Sequence, residues 1–214
     1  MCDDGDMRIV FFLYEGLTTL DIIGPNDVLS RLPGVEAISV SKDGGAVTAD
    51  TAVLGLTATH AMADVDSCDV LVVPGGLEGT FAAAADEEIL DWIRAVTADA
   101  EWITSVCTGS LILGAAGLLE GRRATTHWGA IDLLEGYGAI PTRERVVFDG
   151  NVVTGAGVSA GIDMALTLAA AIAGDDVAQA IQLGIEYDPN PPFDCGSPAK
   201  ASPEVVALAG RTLS

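Results

Sequence analysis

Residues 102–119 change their hydrophobic period at a single cysteine, and this junction constrains the chain more than any other stretch. Upstream, Trp102-Ile103-Thr104-Ser105-Val106 is short, apolar and rich in β-branched residues, the pattern of a buried strand. Downstream, Ser110 to Leu119 reads as a helix carrying Leu111, Ile112, Leu113, Ala115 and Ala116, closed by Gly117 or Gly121. Cys107 stands between the two, with Ser105 and Gly109 as its second neighbours. Small residues at both places suit a sharp strand-to-helix turn of the nucleophile-elbow kind, where bulkier side chains collide. A thiol on such a turn faces free N–H groups and the positive end of a helix dipole, which favour its thiolate. The N–H of Thr108 is placed to serve an oxyanion. The competing reading is a buried, inert cysteine, the commoner state of a free thiol. The position at the turn favours the reactive reading.

The rest of the chain alternates strands and helices. Arg8–Leu13 is a near-continuous apolar run, as expected of a central parallel strand. A turn at Tyr14-Glu15-Gly16 leads to Leu20-Asp21-Ile22-Ile23-Gly24-Pro25 and a helix running to Leu32. Asp21 sits among apolar neighbours at this crossover. It reads either as a helix cap or first-turn acid, or as a carboxyl group facing a site, its pKa raised by an apolar pocket. Strands are expected at Val35–Val40 and Cys68–Val73, with a small hairpin between them at Ala46–Thr48 and Thr51–Leu56. The second strand runs into Pro74-Gly75-Gly76, whose paired glycines permit a tight turn or close backbone approach to a ligand. Asp86–Ala98 has one apolar helical face, Ile89, Leu90, Ile93 and Val96. Arg123 to Trp128 reads as a short strand before a helix at Ala130–Gly136. Within it stands His127, one of two histidines. A lone histidine more often satisfies packing than chemistry, His60 more so than His127. Arg145–Phe148 and Asn151–Thr154 flank Asp149-Gly150, a hairpin signal. Gly155-Ala156-Gly157-Val158-Ser159-Ala160 matches a loose dinucleotide-binding pattern, but the strand and acid that should follow are replaced by helices at Ile162–Ile172 and Asp175–Leu183. A tight turn with close helix packing is the better reading. A proline-rich stretch, Asp188 to Ser202, precedes a last helix at Pro203–Leu213.

This alternation predicts one α/β domain over residues 1–214 with a mostly parallel sheet, an acidic N-terminal extension at 1–7 and a C-terminal tail at 188–214. The four cysteines, Cys2, Cys68, Cys107 and Cys195, form no Cys-x-x-Cys pair, so neither a disulfide framework nor a metal site is expected. The acidic N-terminus lacks the basic start of a signal peptide, and the expectation is a cytoplasmic protein. Thirty-one acidic residues face ten basic ones, a net charge of −21. Such a field repels nucleic acid and anionic membrane, so neither is expected as a partner.

Three segments together resemble the DJ-1/PfpI superfamily: Val73-Pro74-Gly75-Gly76, Ser105-Val106-Cys107-Thr108-Gly109, and Ala124-Thr125-Thr126-His127-Trp128. Within it the likeness is strongest to the isocyanide hydratase branch, through 20–25, 105–119, 122–128, 154–168 and, near the C-terminus, Glu186-Tyr187-Asp188-Pro189 with Pro191-Pro192-Phe193. The resemblance covers roughly residues 8 to 200. It implies a flavodoxin-like three-layer sandwich, a homodimer, a small-molecule substrate and no cofactor. It makes Cys107 the nucleophile, Asp21 its acidic partner and Thr108 the hydratase residue after the nucleophile. Gly75 and Gly76 become backbone donors near the thiolate, and His127 a neighbour of the nucleophile on the substrate or oxyanion side, without a clear triad role. The implied reaction is hydration of an isocyanide to an N-formamide through a thioimidate on Cys107. The rivals are a glyoxalase- or deglycase-like enzyme and a cysteine redox sensor of the same superfamily.

The dispersed acids in an otherwise apolar chain suggest a surface adapted to high salt, where screening weakens self-repulsion. Thermal melts against potassium chloride are expected to show unfolding in salt-free buffer; full stability there at neutral pH overturns this reading.

Overall fold

The computed structural model describes residues 7–212. The acidic extension before Met7, with Cys2, lies outside the described residues. In chain order the elements are β1 (Met7–Phe12), α1 (Thr19–Leu29), β2 (Val35–Ser41), β3 (Gly45–Thr48), β4 (Gly55–Ala58), β5 (His60–Ala61), a 3₁₀ turn (Met62–Asp64), β6 (Val70–Val73), α2 (Glu78–Ala84), α3 (Glu87–Val96), β7 (Trp102–Val106), α4 (Gly109–Ala115), β8 (Arg123–Ala124), a 3₁₀ helix (Trp128–Tyr137), β9 (Ile140–Pro141), β10 (Val146–Asp149), β11 (Val152–Gly155), α5 (Ala160–Ala173), α6 (Asp175–Gly184) and α7 (Pro203–Thr212).

Seven strands form the main sheet in the order β10-β11-β7-β6-β1-β2-β5. Only β10 runs antiparallel, paired with β11 across the Asp149-Gly150 turn. Strands β1, β6 and β7 are buried along nearly their whole length, as parallel strands covered on both faces must be. The crossover from β1 goes one way, to β2; the crossover from β6 goes the other way, to β7. Right-handed connections therefore put α1 on one face and α2, α3 and α4 on the opposite face. On the first face α1 packs on α5, and α5 on α6. The result is the expected flavodoxin-like α/β sandwich. The order in which strands are added reverses between the parallel neighbours β1 and β6, and the carboxyl ends of strands at such a switch leave a crevice.

Several elements differ from expectation. Helix α1 begins at Thr19, before Pro25 instead of after it. Pro25 has no N–H for the Asp21 carbonyl, so the helix skips one bond there and continues. Gly24 earns its place by proximity: a Cβ there would lie 2.8 Å from Ile162 Cγ1 of α5. Helix α4 stops at Ala115, short of Leu119, and the segment expected as an α-helix near Ala130 is 3₁₀ throughout. The second arm of the small hairpin starts at Gly55, four residues later than expected. Strands β5 and β9 and helix α2 had no signal strong enough to mark them. The glycine pattern after β11 does serve close packing. A Cβ at Gly155 would lie 3.2 Å from Met164 Cβ, and one at Gly161 would lie 3.1 Å from both Val106 methyls.

The sandwich closes at the elbow through Gly109. A Cβ there would stand 2.3 Å from the Val73 carbonyl oxygen and 2.7 Å from that of Pro74, both rigid backbone. Gly109→Ala is expected to destabilise the fold by roughly 3 kcal/mol or more. Gly136→Ala, with open space at its Cβ, is expected to be neutral. Paired denaturant melts check both.

Candidate active site

Three loops at the carboxyl ends of β1, β6 and β7 converge at the switch point, and each brings one of the expected residues. Cys107 follows β7 directly with φ +55°, a left-handed conformation that costs a non-glycine residue of the order of 1–2 kcal/mol. The surroundings hold it there from several sides. Its N–H donates to the Gly155 carbonyl (3.1 Å) and the Ala156 carbonyl (2.9 Å). Its carbonyl accepts from Thr126 Oγ1 (2.8 Å) and Ser110 Oγ (3.2 Å). The elbow expected from Ser105 and Gly109 is therefore present, with the thiol buried in the crevice.

Asp21 lies in the first turn of α1 and is completely buried. Both readings of this residue hold: it is a first-turn acid, and it faces Cys107. Its Oδ2 accepts the Gly75 N–H at 2.9 Å. Its Oδ1 is buried with no hydrogen-bond partner among the described residues. Burial pushes its pKa up to about 7, and the Asp50 carboxylate adds to this; the Gly75 N–H and the neighbouring Cys107 thiol oppose it. Asp50 is itself tied to the site, because Thr18 Oγ1, at the N-cap of α1, donates to Asp50 Oδ2 (2.5 Å).

The thiolate expected from the helix N-terminus meets a stronger opposing effect. Burial, and next the Asp21 carboxylate, push the Cys107 thiol well above its ordinary value, while hydrogen bonds from the Val158 N–H, the Thr108 N–H and the Thr108 side chain pull it down. Thiol and carboxyl thus compete for one proton and titrate as a pair. Thr108 acts on the thiol through both its backbone and its side chain, each lowering the Cys107 pKa. Gly75 and Gly76 lie against Thr108, and their N–H groups are engaged: Gly75 with Asp21, Gly76 with Thr108 Oγ1 at 3.1 Å. The absence of a side chain at Gly75 is essential, since a Cβ there would lie 2.5 Å from Thr108 N and 2.9 Å from Asp21 Oδ2.

His127 supports the site's wall. Its Nδ1 accepts the Gly129 N–H (3.2 Å), which leaves the proton on Nε2, and burial lowers its pKa, so the ring is neutral at pH 7. No hydrogen bond joins it to Cys107 among the described residues. Instead its ring abuts Gly157, where a Cβ would lie 2.7 Å from His127 Cδ2. His60 pairs with Thr59 Oγ1 on β5, at the far edge of the sheet.

Two contributors had no sequence signal. Val158 carries φ +37°, an outlier for a β-branched residue, and this turns its N–H to the sulfur. Thr126 anchors the elbow carbonyl. Both line a cavity of about 420 Å³ that also exposes Trp128 and Ile131. The only hint was the glycine run around Val158, which marked unusual backbone without saying what it aimed at. Among the described residues, no three His, Cys, Asp or Glu side chains cluster to hold a metal ion.

Comparison with known proteins agrees with this geometry. The isonitrile hydratase of Pseudomonas putida is 52% identical over 200 residues, spanning 94% of this chain and 87% of that protein. A ThiJ/PfpI family protein from Pseudomonas syringae superposes with a TM-score of 0.94 at 44% identity, over 97% of this chain and 86% of that one. DJ-1beta of Drosophila melanogaster superposes at 0.76 with 25% identity, over 85% and 98%. The sequence profile of the DJ-1/PfpI family matches residues 7–171, which include the three loops that meet at Cys107. With elbow, sheet order and profile in agreement, this chain belongs to the DJ-1/PfpI family.

Proposed function

We propose that the protein is an isocyanide hydratase, adding water to R–N≡C to give the N-formamide R–NH–CHO. The observation that carries this reading is the buried Asp21 carboxyl beside the Cys107 thiol, with one oxygen held by Gly75 and the other unpartnered. Similarity over most of the chain to an isonitrile hydratase supports the same substrate class.

In this reading Cys107 and Asp21 hold one proton between them. As sulfur attacks the electrophilic terminal carbon, the thiol proton passes to Asp21, which returns it to the same carbon. The product is a thioimidate, Cys–S–CH=N–R. Asp21, again a carboxylate, takes a proton from water as the oxygen adds to the thioimidate carbon, and nitrogen receives that proton. The C–S bond then breaks, the hydroxyl proton goes to sulfur through Asp21, and the formamide leaves. This is covalent catalysis with one carboxyl alternating between base and acid. The Val158 and Thr108 N–H groups steady negative charge on sulfur. The cavity beside Val158 and Thr126, walled by Trp128 and Ile131 and also by His127, Arg143 and Arg145, offers room for the R group. We also read the protein as a homodimer: the exposed Leu20 and Ile23 on α1 support burial against a second copy. Among the described residues no helix is long and apolar enough to cross a membrane, and a cytoplasmic location fits this reading.

Purified protein supplied with an aryl or alkyl isocyanide is expected to release formamide, and Cys107→Ala to abolish it. Absence of turnover in wild-type protein whose Cys107 still alkylates overturns the proposal in favour of the glyoxalase-like or redox-sensing rivals. Because Asp21 must be ionised to accept the thiol proton, kcat/KM is expected to fall about tenfold per pH unit below about pH 7. The same raised pKa sets stability. Between about pH 4 and about pH 7 the native state binds a proton that the unfolded chain has released, so stability falls as pH rises through that window. Asp21→Asn is expected to remove this slope and to stabilise the protein at pH 8 by on the order of 3–4 kcal/mol while nearly abolishing turnover. Urea titrations at pH 4.5 and 8 check the sign.

A further inference from the structure

Behind Thr108 runs a buried chain of hydroxyl groups that the reaction scheme leaves unused. Tyr14, just past β1, donates to the Pro74 carbonyl (2.9 Å) and lies 3.1 Å from Thr80 Oγ1. Thr80, fully buried in α2, lies 2.9 Å from the Gly76 carbonyl and 2.9 Å from Thr108 Oγ1. Thr108 Oγ1 lies 2.8 Å from the same Gly76 carbonyl and accepts the Gly76 N–H at 3.1 Å. It belongs to the residue that follows Cys107, and its side chain helps hold the Cys107 pKa down. Among the described residues, no other acceptor is shared by two side-chain hydroxyls that also touch each other.

The hydrogens do not suffice for the contacts. Tyr14, Thr80 and Thr108 each carry one hydroxyl hydrogen. Five contacts compete for these three, Tyr14 with Pro74 O, Tyr14 with Thr80, Thr80 with Gly76 O, Thr80 with Thr108, and Thr108 with Gly76 O, and the sulfur of the preceding residue, Cys107, is a further acceptor for Thr108. The Tyr14 hydrogen is committed to the Pro74 carbonyl, which can only accept. The Gly76 carbonyl then takes its hydrogen either from Thr108 or from Thr80. When Thr108 supplies it, nothing is left for sulfur. When Thr80 supplies it, the Thr108 hydrogen is free to turn to Cys107, and the Gly76 carbonyl stays satisfied. A buried carbonyl left without a donor is costly, so without Thr80 the Thr108 hydrogen is held on Gly76.

We propose that Thr80 is a positioning residue that takes over the Gly76 carbonyl when Cys107 becomes charged, releasing the Thr108 hydroxyl to donate to the sulfur. Its effect on turnover rests on the hydratase reading; its effect on the thiol does not. Tyr14 sets the direction of the relay, because its own hydrogen is fixed on Pro74 and its oxygen is left as an acceptor. No bond to carbon is made or broken in the relay. Two hydroxyl rotors exchange acceptors, and the proton count of the site is unchanged.

The test uses full-length protein with Cys2 and Cys195 replaced by serine, so that iodoacetamide reports Cys107; Cys68 is buried and its thiol is held on the Val96 carbonyl. Alkylation rate against pH is measured for this background and for its Thr80→Val, Thr80→Ala and Thr80→Ser variants, alongside isocyanide turnover. Thr80→Val is expected to slow Cys107 alkylation near neutral pH about tenfold and to shift its pH midpoint upward, reflecting the loss of one hydrogen bond to a charged sulfur. It is expected to lower kcat by a similar factor with KM within about twofold. Thr80→Ser restores the hydroxyl and is expected to rescue both. Thr80→Ala serves if valine prevents folding. A folded hydroxyl-free variant whose alkylation profile matches the background overturns the proposal, and so does a loss that serine fails to rescue. If the background alkylates normally but hydrates no isocyanide, the hydratase reading fails while the alkylation profiles still decide the role of Thr80.

Discussion

Cys107 can be held at φ +55° only because the chain on every side of it is fixed. The N–H is shared between two carbonyls at the end of β11, and the carbonyl is held by Thr126 and Ser110. These four contacts draw on three separate parts of the sequence. The strained residue is thus the point at which β7, β11, the segment before the 3₁₀ helix and α4 are locked together. A backbone conformation costing of the order of 1–2 kcal/mol persists because relaxing it would break several buried hydrogen bonds at once. The glycines serve the same closure: Gly109 lets α4 begin against the Val73 and Pro74 carbonyls, and Gly75 leaves room for Asp21 and Thr108 to meet the thiol.

The chemistry follows from where this closure puts a carboxyl group. A first-turn aspartate on an exposed helix is an ordinary, ionised residue. On α1 it is turned inward, against Gly75 at the end of β6, and is completely buried. Desolvation then raises its affinity for a proton into the range where a neighbouring thiol can exchange one with it. The dipole end of α4 alone does not make Cys107 a resting thiolate, because α4 is short and burial acts in the opposite direction. What the site has instead is a shared proton and a set of N–H donors from Val158 and Thr108 that become effective once charge appears on sulfur. Val158 reaches the sulfur through its own strained backbone, against which His127 and Gly157 are packed.

Much of the fold was legible in residue order. The buried strands at β1, β6 and β7 announced themselves as unbroken apolar runs, and α3 as a helix with one apolar face. The hairpin of β10 and β11 was marked by Asp149-Gly150. The misses have local causes. Pro25 suggested a helix start, yet α1 runs through it because packing on α5 outweighs one lost hydrogen bond. Helix α2 is short and opens with Glu78-Gly79, too weak a pattern to notice, although it delivers Thr80. Strands of two residues, such as β5 and β9, exist only because a neighbouring strand is there to pair with.

The sequence by itself determined the class of fold and the nucleophile elbow with Cys107 at its tip; Asp21 it left open between a first-turn acid and a site carboxyl until the family resemblance favoured the second. Period, turn residues and small neighbours are local properties, and they survive without knowledge of what packs where. Tertiary structure alone decided how those residues behave. It fixed which oxygen of Asp21 is held and which is left unpartnered, brought Val158 to the site, engaged the N–H groups of Gly75 and Gly76 elsewhere, and set His127 against Gly157 in the wall of the cavity. The reason is physical: protonation and hydrogen-bond assignment depend on desolvation and on groups more than fifty residues apart, as Asp21 and Gly75 are. Such distances in sequence leave no periodic trace, and only the folded sheet brings them within 3 Å.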